Sequence, residues 1–150
     1  MGAMLAIRLV MLHPERVRRA VVAGLGANYF REHQQWRDRI AEAMLAEDST
    51  QVEDGTARKF RLFAGQKGKD RLALAACMRA SRHMYRPAEL KQSKRPVLVV
   101  AGEKDAIAGS PFPLAEAFAD GRAVVVPDRD HMTAVGDPGY KRAVLAFLSE

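Results

Sequence analysis

One cysteine stands in the 150 residues, Cys77, so no internal disulfide can form and a reducing, cytoplasmic setting is expected. Long apolar runs are also lacking. Met1 to Leu12 comes nearest, but Arg8 interrupts it and it is too short to span a bilayer. It has neither a basic leader region nor a small-residue cleavage site, so the expectation is a soluble chain with no signal peptide and no membrane partner. There is no block of like charge. Twenty-four Lys and Arg are interleaved with eighteen Asp and Glu, so the net +6 reads as a solvated surface and not as a nucleic-acid-binding stripe. Gly24-Leu25-Gly26 lacks the third glycine of a dinucleotide fingerprint, since Tyr29 stands where it would fall. His13, His33 and His83 have no metal-ligand spacing. Neither a cofactor nor a metal is expected. No internal repeat or low-complexity tract is present.

What is there is a globular composition, 48% hydrophobic, organised around Arg95 to Asp105. Val97-Leu98-Val99-Val100 lies between a proline and a glycine, the pattern of a strand buried on both faces. Two further strands are predicted, over Arg16 to Ala23 and Arg122 to Val126. Met1 to Leu12 predicts a helix that is apolar nearly all round and therefore needs cover on almost every side. A helix follows Ser110-Pro111 through Ala119, and another covers Asp137 to Ser149. Strands alternating with helices mean right-handed crossovers and a parallel sheet.

Between the first two strands the pattern changes. Trp36, Ile40 and Met44 recur every four residues, predicting a helix from Arg31 to Glu47. Thr56 to Ala64 predicts a second, with Phe60 and Phe63 inward, and Asp70 caps a third running to His83. An insert of roughly 65 residues is far longer than a crossover needs, which suggests a lid or cap. The alternative is a helical subdomain without a part in ligand binding. The chain thus divides into 1–27, a helical insert 28–93, and 94–150.

Asp105 follows the second strand and His131 the third, so parallel pairing delivers both to one sheet edge, where α/β ligand crevices lie. An aspartate there can hold one imidazole nitrogen and leave the other free as a general base. A strand-end Asp also serves commonly as a turn residue, and a loop His as a structural one.

Gly102-Glu103-Lys104-Asp105, followed by Asp130-His131-Met132 and a terminal helix, resembles the acid and base loops of α/β-hydrolases. Met1-Gly2-Ala3-Met4-Leu5-Ala6 and His13-Pro14-Glu15-Arg16-Val17 resemble that family's helix after the nucleophile elbow, Gly-x-Ser-Met-Gly-Gly or Gly-x-Ser-Met-Gly-Ala. The resemblance covers the whole chain, the insert in position and helical character only. It implies a partial α/β-hydrolase fold, with a short parallel sheet of about three strands, flanking helices and a helical cap insert. It also implies a serine-type ester or acyl-bond hydrolase, with Asp105 as acid, His131 as base and a small-molecule substrate in the complete protein. In that family the serine immediately precedes the residue matching Met1, so the resemblance implies a nucleophile that these 150 residues lack. Met1 matches an oxyanion-hole position, by position only, since its amide would be an ammonium at the chain start. Met-Gly after the elbow favours serine over the aspartate of dehalogenases and epoxide hydrolases. Some members place the acid after the preceding strand, but Gly24-Leu25-Gly26 offers no carboxylate.

Ser110, next to Pro111, lacks the sharp strand-to-helix turn of a nucleophile, and Cys77 lies mid-helix among Ala75, Ala76 and Met78. The expectation is a chain inactive by itself. The other class of reading is a non-catalytic fragment or interaction module, and the Arg16–Ala23 edge invites dimerisation or aggregation.

Overall fold

The computed structural model describes residues 1–150 and divides them into two compact units, Met1–Arg31 with Met84–Glu150, and Glu32–His83. The first unit is built on three parallel strands, β1 (Ala20–Ala23), β2 (Val97–Gly102) and β3 (Gly121–Val126), in the order β1-β2-β3. Val22 pairs with Val99 and Val99 with Ala123, so the strands run in step towards one carboxyl edge. All six β2 residues are buried.

Both faces of the sheet are covered, as a buried parallel strand requires. On one face Ile7 and Val10 of α1 (Gly2–Leu12), together with Leu114 and Phe118 at α6 (Phe112–Glu116), pack against Val22, Val97 and Val99. On the other, Phe147 of α7 (Pro138–Ser149) packs with Leu98, Val100 and Val126. Alternate β2 residues therefore feed two cores, the period-2 consequence of a strand. Asp137 caps α7 by accepting the Gly139 N–H at 2.6 Å, and Pro138 occupies the first turn, where no N–H is needed.

Several elements differ from the sequence expectation. β1 begins at Ala20, not Arg16, because Pro14–Arg16 forms a 3-10 turn closed by Val17 N–H to the Pro14 carbonyl. Val17 is buried from that turn and not from a strand. The α6 helix starts only at Phe112, with Pro111 as its N-cap. A one-turn helix, α5 (Pro87–Leu90), precedes β2, with the Glu89 carboxylate accepting the Arg86 N–H at 2.8 Å.

The second unit contains α2 (Gln34–Leu45), α3 (Gly55–Ala64) and α4 (Arg71–Arg79) around Ile40, Ala41, Met44, Val52 and Ala64. Asp54 and Asp70 accept the Ala57 and Ala73 N–H groups and so cap α3 and α4. Trp36 meets Phe60 edge-on, ring centroids 6.0 Å apart. Phe63, expected inward, is exposed and carries Lys69 Nζ over its ring. The α4 helix stops at Arg79, short of His83, and arginines serve its last carbonyls: Arg82 donates to Cys77 O at 3.0 Å and Arg37 to Ala80 O at 3.4 Å. Burial, then the neighbouring Arg37 charge, pulls the Arg82 guanidinium below its ordinary pKa. Arg61 and Arg71 serve the end of α2 in the same way, both donating to Ala46 O.

No helix is long and apolar enough to cross a membrane.

Candidate active site

Asp105 and His131 come together beyond the carboxyl ends of β2 and β3. His131 Nδ1 lies 2.9 Å from Asp105 Oδ2 and 3.1 Å from Oδ1. The Asp105 side chain is fully buried and that of His131 a quarter exposed. A carboxylate accepts and cannot donate, so Nδ1 carries the proton in this hydrogen bond. Asp105 Oδ1 also accepts the N–H groups of Ile107 at 3.0 Å and Ala108 at 2.8 Å. The carboxylate is thus held on both oxygens, and rotation about its side-chain bonds would break several hydrogen bonds together.

The two loops reach each other because they are stitched at their bases. Glu103 N–H donates to Val126 O and Lys104 N–H to Arg129 O, both at 2.9 Å. Glu103 Oε2 accepts the Asp128 N–H at 2.9 Å, and Lys104 Nζ pairs with Asp128 Oδ1 at 2.8 Å. Asp128 has a φ of 57°, left-handed backbone that aspartate tolerates better than most residues. Gly102 lets the His131 loop close, for a Cβ there would stand 2.2 Å from Arg129 O. Gly24, at φ +66°, ends β1 directly against the imidazole, where a Cβ would lie 3.1 Å from His131 Cε1.

Asp130, next to His131 in sequence, turns into its own loop. Its Oδ1 accepts from Met132 N at 3.1 Å, Thr133 N at 3.0 Å and Thr133 Oγ1 at 2.7 Å. Arg129 Nε pairs with Asp137 Oδ2 at 2.7 Å, tying the loop to the cap of α7. That hydrogen bond, with the Gly139 N–H, holds the Asp137 carboxyl below the usual range.

Met1 is the N-cap of α1, its carbonyl accepting the Met4 N–H at 2.9 Å. Cys77 is in α4, in the other unit. Ser110 is exposed, its carbonyl accepting the Ala27 N–H at 2.7 Å. With Glu103, Lys104, Asp105 and Val125 it lines a cleft of about 450 Å3 that His131 does not border. No three histidine, cysteine or acidic side chains gather as a metal site. Gly24, against the imidazole, and Asn28, against the Asp105 loop, were not singled out from the sequence, although a Gly-x-Gly closing a strand was visible.

No protein-family model and no curated protein sequence matches the chain. Solved structures do. A hydrolase from Pseudomonas aeruginosa superposes with TM-score 0.73 at 26% identity, over 99% of this chain and 62% of that one. The enol-lactonase from Burkholderia xenovorans gives 0.65 at 22% identity, over 100% and 63%. An α/β-hydrolase enzyme from a Medee basin deep-sea metagenome library gives 0.68 at 20% identity, over 99% and 62%. The chain therefore spans less than two thirds of the length of these structures. With its parallel sheet, flanking helices and this agreement over nearly every residue, the chain has a partial α/β-hydrolase fold.

Proposed function

We propose that Asp105 and His131 are the acid and base of a serine-type hydrolase of ester or related acyl bonds, acting on a small-molecule substrate. The observation that carries this reading is the 2.9 Å contact between His131 Nδ1 and the buried Asp105 carboxylate. The resemblance assigns the nucleophile to a serine one residue before the match to Met1. His131 Nε2 takes that hydroxyl's proton as the oxygen attacks the acyl carbon, then gives it to the departing alkoxide. Water then attacks the acyl-enzyme by the same route in reverse roles, releasing acid and free serine. Asp105 keeps its negative charge throughout and stabilises the imidazolium that forms in each step. A hydrolase, a lactonase and an α/β-hydrolase enzyme among the similar structures support this reaction class.

The test compares two neighbouring carboxylates in a protein extended through the nucleophile segment. Asp105→Asn is expected to lower kcat on short p-nitrophenyl esters on the order of 10⁴-fold, because it presents the wrong imidazole tautomer. Asp130→Asn, which keeps an Oδ1 able to accept the Met132 and Thr133 N–H groups, is expected to stay within about tenfold of the parent. Equal losses at the two positions would remove the assignment of Asp105 as the acid.

A further inference from the structure

The segment that leaves β1 touches both members of the pair, and Asn28 touches the acid loop most closely. Its Nδ2 donates to Ala106 O and to Ile107 O, both at 3.0 Å, and its own N–H donates to Ala108 O at 3.0 Å. The Ala106 carbonyl belongs to the same peptide group as the Ile107 N–H, and the Ile107 carbonyl to the same group as the Ala108 N–H. Those two N–H groups are the ones that hold Asp105 Oδ1. Two consecutive peptide planes are therefore clamped, with the Asn28 amide on their oxygen ends and the Asp105 carboxylate on their N–H ends. Hydrogen bonding at a carbonyl also polarises the N–H of the same peptide, strengthening what it donates.

We propose that Asn28 is a positioning residue, which orients the two peptide groups that fix the Asp105 carboxylate against His131 Nδ1. The inference rests on the reading of Asp105 and His131 as acid and base. The chemistry of the side chain is specific. Both amide hydrogens are used, and a residue of the same size that cannot donate would leave two carbonyl oxygens facing it. An ordinary turn asparagine bonds its own backbone two residues on; this one spans 78 residues of sequence to reach its partner.

The experiment reads the His131 Nδ1–H proton by NMR in the 150-residue chain, with no need for turnover. Asp105→Asn comes first and should abolish the hydrogen-bonded resonance; its survival would overturn the acid–base reading and this inference with it. Asn28→Asp, equal in size but presenting oxygens to the Ala106 and Ile107 carbonyls, is then expected to shift that resonance upfield. Its exchange with solvent should quicken by at least about tenfold. Asn28→Ser keeps one donor at shorter reach and should fall between the two, serving where Asn28→Asp does not fold. A resonance unchanged in position and exchange rate in a folded Asn28 variant would overturn the proposal while leaving the acid–base pair intact.

Discussion

Tyr29 is 2% exposed, and its hydroxyl accepts the Tyr85 N–H at 2.9 Å, joining the two stretches between which residues 32–83 are inserted. Burial pushes its phenol above the ordinary value of 10.0, outweighing the opposing pull of that hydrogen bond. A group whose folded pKa is raised contributes stability that is present below its unfolded pKa and is lost as pH rises through the folded one. Urea unfolding should therefore show stability falling above about pH 10, and Tyr29→Phe should flatten that fall while lowering neutral-pH stability by about 1 kcal/mol. An unchanged alkaline decline in Tyr29→Phe would place the titrating group elsewhere. Asp105 and His131 were legible in the sequence because each follows a strand closely, and parallel strands end on one side. Asn28 was not. Its partners are backbone carbonyls, which leave no residue-type signature, and they lie far along the chain.

Among the elements, β2 was legible because its pattern allows little else: four apolar β-formers between proline and glycine, buried on both faces. β1 was read too long, since Val17 looks like strand but is buried from a 3-10 turn. α4 was read too long: beyond Arg79 the chain leaves the helix, with Arg82 donating to Cys77 O and Arg37 of α2 to Ala80 O. α1 is the element whose cover is incomplete. Ile7 and Val10 are buried, but Met1, Leu5, Leu9 and Leu12 are exposed by 59%, 60%, 44% and 51%. β1, against which α1 packs, is an edge strand, and an apolar edge of this kind pairs readily with another chain. Sedimentation of the 150-residue chain at about micromolar concentration is expected to show dimers or larger species. Replacing Leu5 and Leu9 with Gln should shift the distribution towards monomer. A parent chain that sediments as a single monomer and unfolds cooperatively would contradict this.

For the molecule as a whole, alternating strands and helices led to the parallel sheet, and sheet polarity then placed the two loops. Pocket shape and substrate were not legible, because substrate contacts depend on side chains that no periodicity marks. Under the proposed function, Asp105 and His131 would act as acid and base for a serine nucleophile that lies outside positions 1–150. Hydrolysis of a short p-nitrophenyl ester, by the 150-residue chain and by a form extended through the elbow serine, tests both halves in one assay. The account predicts background turnover from the chain alone. In the extended form it predicts turnover that His131→Ala lowers on the order of 10⁴-fold or more. His131-dependent turnover by the 150-residue chain itself, or turnover in the extended form that survives His131→Ala, would contradict it.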